Sequence, residues 1–104
     1  MEQNRKDLIM KTLKDTCELM CSTDYKERFI AEYEQLSCRL TGLVIMREKM
    51  DHGTLNFTPT CPGSLYDLQI RAMKDYLTVL ETRAVIESID LHKDEQGGVD
   101  VKID

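Results

Sequence analysis

The sequence predicts an all-α fold built on a long antiparallel helical hairpin, and three observations carry that expectation. Charged residues make up 32% of the 104-residue chain and aromatics only 6%, with no Trp, a balance that suits surface-rich helices better than a β-sandwich or barrel. Two long segments repeat apolar residues at alternating three- and four-residue intervals, the period of a helix face. Between them lies a stretch that holds both prolines and two of the five glycines, where a helix must stop. An apolar content of 41% suffices for one modest core, so residues 1–104 are expected to form a single domain: an N-terminal helix within 1–22, the hairpin over 23–91 and a tail over 92–104.

The first helix, at about 4–21, is read from Ile9, Leu13, Cys17 and Met20, with Lys6, Lys11, Lys14 and Glu18 on the opposite side. It should stop at "CSTD", where Asp24 followed by Glu27 resembles a capping box for the next helix. That second helix, about 24–50, carries Phe29, Tyr33, Leu36, Leu40, Leu43, Met46 and Met50 in unbroken three-four spacing. The connection "DHGTLNFTPTCPG" is long for a link between packed helices, and connections of such length often carry function. Ser64 is the expected cap of the third helix, about 64–91, with Asp67 in its first turn where a carboxylate suits the helix dipole. Its seam is read as Gln69, Met73, Tyr76, Leu80 and Arg83. Beyond Gly97 and Gly98, alternating Val99, Val101 and Ile103 could form a short strand that either frays or pairs with the same tail of another copy.

The net charge of −5 and a pI near 5.0 argue against a double-stranded nucleic acid surface, which needs basic residues to neutralise phosphates. No apolar run approaches the ~20 residues that cross a bilayer, so no membrane partner is expected. Cys17, Cys21, Cys38 and Cys61 follow no Cys-x-x-Cys spacing and no signal segment precedes them, which points to a reducing cytoplasm. Cysteines acting as small buried hydrophobes are preferred to a metal site, because His52 and His92 stand far from them in sequence. Neither a Gly-rich phosphate loop nor a His-Glu-x-x-His pair occurs, and the carboxylates are scattered along solvated faces. The expectation is a non-enzyme with no cofactor and no metal.

A seam whose ends are Gln69 and Arg83 raises the question of why a helix offers polar groups to its partner. One reading is structural. Arg83 would pair with Glu32 or Glu34 and lay its stem over apolar surface, while Gln69 bonds loop carbonyls and the two polar positions fix the register. The other reading is functional: Arg39, Tyr76 and Arg83 line a notch completed by a second copy, with Phe57, Thr58 and Thr60 of the connection near a bound base. Arg suits phosphate through its planar fork, and a purine stacks on Tyr or Phe. Phe57 in such a place is more often a lid over the end of a hairpin core than a platform for a base.

Leu36, Arg39 and Leu40, followed by Gln69, Ala72, Met73, Tyr76, Leu80 and Arg83, make a pattern over "RFIAEYEQLSCRLTGLVIM" and "FTPTCPGSLYDLQIRAMKDYLTVLETRAVIE". This pattern resembles a family of small phage and prophage proteins related to one from crAss-like phages. The resemblance implies a phage-encoded helical hairpin without enzymatic activity, at work in the cytoplasm of an infected bacterium. The first helix, the proline-containing connection and the tail stand outside the family pattern. The hairpin also looks like phage sponge proteins, homo-oligomers that sequester cyclic nucleotide or cyclic ADP-ribose immune signals. Two functions follow as expectations: sequestration of a small nucleotide-derived ligand between copies of the chain, or an adaptor that docks a helix face on a host or phage protein.

Overall fold

The computed structural model of the protein describes residues 13–91, and every regular element among them is helical. Helix α1 covers residues 13–20, α2 runs over Tyr25–His52 and α3 over Gly63–Glu87, so the expected all-α hairpin is present. The start of the first helix at 4–12 and the alternation in the 92–104 tail lie outside the described residues.

The α1–α2 junction departs from a capping box. Asp24 caps α2 by accepting the Lys26 amide at 3.0 Å, but Glu27 accepts a 2.6 Å hydrogen bond from the Ser22 hydroxyl instead of returning to the cap. Arg28 adds a bond from Nη1 to the Ser22 carbonyl at 2.8 Å. Helix α1 then lies against α2 through a polar residue. Thr16 is fully buried, donates its hydroxyl to the Leu13 carbonyl at 2.7 Å and accepts from Gln35 Nε2 at 2.9 Å. Ala31, one turn before Gln35 on the same face, is fully buried too. The expected stripe is corrected here, because Cys17 is exposed and Met20 is 39% exposed while Thr16 takes the contact. Cys21 is exposed as well, so neither of these two cysteines serves as core packing.

The stripe along α2 is as the spacing requires: Phe29, Leu36 and Leu40 are buried, and Tyr33, Leu43, Met46 and Met50 are half-buried. The seam of α3 is not the expected row. Tyr66, Ile70, Met73, Leu77, Leu80 and Ala84 face inward, whereas Gln69 and Tyr76 are exposed. The two rows share Met73 and Leu80, so at 3.6 residues per turn they differ by a rotation of only about 60°. The wholly apolar row wins because burying Leu77 and Ala84 removes apolar area from water, while burying Gln69 and Arg83 would strip hydration from polar groups. The core gathers at the open end of the hairpin: Phe29 and Leu36 meet Leu80, Ala84, Ile89 and Leu91, with Ile30, Tyr33, Met73 and Leu77 around them.

Ile89 and Leu91 reach that core because α3 ends at Glu87, four residues before the expected Leu91. Ser88 adopts a left-handed conformation, φ 59° and ψ 43°, and the Ile89 amide bonds the Ala84 carbonyl at 2.8 Å. Gly53 closes α2 in the same way, φ 70° and ψ 26°. The connection is residues 53–62, shorter than expected, and Arg47 clamps its two ends. Arg47 Nε meets Asp67 at 2.8 Å and Nη1 meets Asp51 at 2.7 Å. Asp67 is thereby drawn to Arg47, and α3 starts at Gly63 behind Pro62 with no side-chain cap, so Ser64 does not fill that role. Gly63 leaves room for the Arg47 guanidinium, which a Cβ there, 2.7 Å from Nη2, would displace. No described helix is long and apolar enough to cross a membrane.

Candidate functional site

One edge of the hairpin carries a ladder of polar and aromatic side chains. It arises from seven-residue spacing on both helices: Tyr25 and Glu32 on α2, Tyr76 and Arg83 on α3. The Tyr76 hydroxyl donates to the Glu32 carboxylate. At the next rung Arg83 Nη2 donates to the Tyr25 oxygen at 2.6 Å, and Arg83 Nε donates to Glu87 Oε2 at 3.2 Å. The Tyr25 hydroxyl closes the triangle by donating to Glu87 Oε1 at 2.8 Å. Beneath it lies Phe29, with the Arg83 Cζ 4.8 Å from the ring centroid and Tyr25 edge-on at 6.1 Å. The expected pairing of Arg83 with Glu32 or Glu34 is therefore corrected: Tyr76 takes Glu32, and Glu87, one turn along α3, takes Arg83.

Electrostatics follow the hydrogen bonds. Glu87 is held below the ordinary carboxylate value, first by the Tyr25 hydroxyl and then by Arg83, against a partial loss of hydration. Tyr25 is pushed up, chiefly because its proton bonds Glu87, and Tyr76 is pushed up by its bond to Glu32. Both phenols are thus firmly neutral near pH 7. About half of each stays open to solvent, with Tyr25 and Tyr76 each 45% exposed, and the Arg83 side chain is 43% exposed. A guanidinium carries five N–H donors, so Arg83 keeps donors beyond the two bonds described.

Arg39 stands seven residues past Glu32 and is exposed, which puts it on the same edge of α2. Continuing the ladder from Tyr25 with Arg83 and Glu32 with Tyr76 brings Arg39 to the level of Gln69, also exposed. Three candidate residues, Arg39, Tyr76 and Arg83, therefore share one edge. Phe57, Thr58 and Thr60 do not join them. They are exposed in the connection, and from the start of α3 at Gly63 to Arg83 is about 30 Å at 1.5 Å per residue. Within one chain, the loop group and the Arg83 group are too far apart to grip one small molecule.

Sequence reasoning missed Tyr25, Glu87 and the role of Phe29 under a cation. The signal was present as two pairs four residues apart, Tyr25 with Phe29 and Arg83 with Glu87, spacings that place side chains one above the other. Among the described residues, no group of three or more His, Cys, Asp or Glu is disposed to hold a metal ion.

The stretch that forms this edge coincides with a family signature. Residues 23–86, which span α2, the connection and α3 to within a residue of its end, match the family model described as Sequestin. The chain belongs to the Sequestin family. The Sequestin match takes in Tyr25, Glu32, Arg39, Tyr76 and Arg83, and its span runs across the proline-containing connection. Helix α1 and the chain beyond residue 86 fall outside. No curated protein and no solved structure matches the chain.

Proposed function

We propose that the protein is a non-enzymatic, phage-encoded counter-defence protein that sequesters a nucleotide-derived bacterial immune signal, of the cyclic nucleotide or cyclic ADP-ribose type, in pockets of a homo-oligomer. The family match carries this reading, since the name Sequestin points to sequestration and the match falls on the hairpin that bears the candidate edge. The chemistry of the edge supports it. Arg39 and Arg83 offer guanidinium groups to phosphate, and the half-open rings of Tyr25 and Tyr76 offer faces to a purine. Phe57, Thr58 and Thr60, contributed by another copy of the chain, supply a further aromatic face and hydroxyls for a base edge. Sequestration asks only for affinity, so the edge needs no nucleophile and no general base. The phage setting and the cytoplasm of an infected bacterium rest on the resemblance to small phage and prophage proteins.

A melting screen against cyclic dinucleotides and ADP-ribose derivatives tests the proposal. Ligand at a hundredfold excess over its dissociation constant adds about 2.7 kcal/mol of stability, a clear rise in Tm. A flat response across the panel would favour the second reading, an adaptor for a host or phage protein. That alternative draws on the apolar residues that α3 leaves in solvent, with Val85 80% and Ile86 75% exposed.

A further inference from the structure

The Arg83 guanidinium is held by three groups, and their placement decides which of its donors a ligand can reach. Glu87 Oε2 takes the Nε proton at 3.2 Å, the Tyr25 oxygen takes one Nη2 proton at 2.6 Å, and the Phe29 ring centroid lies 4.8 Å from Cζ. Phe29 is buried, and Glu87 is anchored a second time because the Tyr25 hydroxyl donates to its Oε1 at 2.8 Å. Two acceptors that are bonded to each other lie on one side of the guanidinium, so together they fill its Nε–Nη2 edge. The five N–H donors of Arg form two such forks, and the Nη1–Nη2 edge is the one left open. With 43% of the side chain exposed, that edge is within reach of a ligand.

We propose that the open Nη1–Nη2 edge of Arg83 takes a singly charged phosphoryl group, a phosphodiester or a pyrophosphate bridge, in preference to a terminal phosphate, and that Glu87 is the positioning and specificity-determining residue of this site. The proposal rests on the sequestration reading and deepens it. Two parallel N–H donors match two oxygens of one phosphoryl group. Glu87 acts on that match twice. Its hydrogen bond fixes the direction of the fork, and its charge sets which anion the fork favours. A diester carries one negative charge, whereas a terminal phosphate carries about −1.5 to −2 at pH 7. Beside a lone guanidinium the higher charge would win, because attraction grows with it. Beside a guanidinium already paired with a carboxylate that advantage shrinks, while stripping water from the more highly charged group remains as unfavourable as before. Glu32, on the next rung, adds repulsion in the same sense, and Arg28, three residues past Tyr25, is engaged with the Ser22 carbonyl.

Selectivity of this kind is what sequestration needs. A protein that removes a signal by binding it must not fill with nucleoside mono-, di- and triphosphates, all of which end in a terminal phosphate. The base cannot make the distinction, since stacking on the half-open faces of Tyr25 and Tyr76 tolerates any purine. The phosphate site can.

Calorimetric titration of the full-length chain tests this with matched probes: cyclic di-AMP against linear pApA, cyclic di-GMP against linear pGpG, and cyclic ADP-ribose against ADP. Wild type should bind the cyclic member of the pair it recognises more than about tenfold more tightly than the member with a terminal phosphate. Glu87→Gln keeps an acceptor for Arg83 Nε and drops the charge, so it should narrow that gap by at least about threefold while the cyclic probe stays bound. Glu87→Ala releases the fork and should weaken the cyclic probe by about tenfold, but in an Arg83→Met background it should change affinity by less than about twofold, because the two residues act as one unit. Circular dichroism checks that each variant keeps its helicity. An unchanged gap in Glu87→Gln overturns the charge selectivity, and an equal effect of Glu87→Ala with and without Arg83 overturns the positioning role; either result leaves sequestration standing. Wild type that binds no probe of any pair sinks sequestration and this site with it.

Discussion

Arg83 divides its guanidinium among a carboxylate, a phenol and a ring face, and the balance sets what substitution there will do. The Glu87 contact and the Tyr25 bond are solvent-accessible, where ion pairs contribute little, and the stem packs on Phe29 whether or not it carries a charge. Arg83→Met should therefore leave the urea midpoint close to wild type while weakening ligand binding more than about tenfold, the scale of one lost charge-assisted hydrogen bond. Unchanged affinity would remove Arg83 from the site. Glu87 supplies a second check. Its carboxyl is held below the ordinary glutamate value of 4.5, so it stabilises the fold above that value and the contribution is lost as pH falls through the lowered one. Urea midpoints measured from pH 7 downward should decline less in Glu87→Gln than in wild type below about pH 4.5. A parallel decline would show that the triangle with Tyr25 and Arg83 does not persist in solution. At this scale the sequence was partly legible. It named Tyr76 and Arg83, but it gave Arg83 the wrong carboxylate, because cross-hairpin partners depend on a helix rotation that spacing alone leaves open, whereas Arg83 and Glu87 were readable as neighbours one turn apart.

The helix ends show why some elements were legible and others were not. Gly53 announces the end of α2, since a left-handed residue there is readily supplied by glycine; nothing comparable marks the end of α3, where Ser88 adopts the same conformation. The expected helix accordingly ran on to Leu91. The two caps predict opposite responses to opposite substitutions. Gly53→Ala has open space around the new methyl but a φ of 70°, so it should cost about 1 kcal/mol, and Ser88→Gly should gain about 0.5 to 1 kcal/mol. Urea melts of both variants decide this; a stabilising Gly53→Ala or a destabilising Ser88→Gly would mean that these turns are not left-handed in solution. The α2 stripe was fully legible, because one row of seven apolar residues had no rival. On α3 two rows share Met73 and Leu80, and the face carrying Gln69 and Arg83 was mistaken for the seam next to it. In α1 the buried contact is Thr16 with Gln35, a polar pair that apolar periodicity cannot reveal.

Across the molecule, cohesion is unevenly distributed, and this has a measurable consequence. The buried cluster of Phe29, Leu36, Leu80, Ala84, Ile89 and Leu91 sits at the open end, where the return of the chain after Ser88 thickens the core. At the opposite end Leu43, Met46, Met50, Tyr66 and Ile70 are only half-buried, and the connection is held by Arg47 with Asp51 and Asp67 in exposed ion pairs that salt screens. Local opening is governed by how much apolar surface an opening exposes, so the loop end should open at lower free energy than the open end. Amide hydrogen exchange should find the slowest protons near residues 30–40 and 77–87, with faster exchange at 44–52 and 64–70 and a further acceleration there at high salt. Leu80→Ala removes a fully buried side chain from the cluster and should cost about 2 to 5 kcal/mol. If the slow amides report global unfolding, that substitution should speed the slowest set most and leave the faster-exchanging loop end almost unchanged. Uniform protection along both helices, or slowest exchange beside the connection, would mean that contacts outside the hairpin core brace the loop end, as another copy of the chain would do.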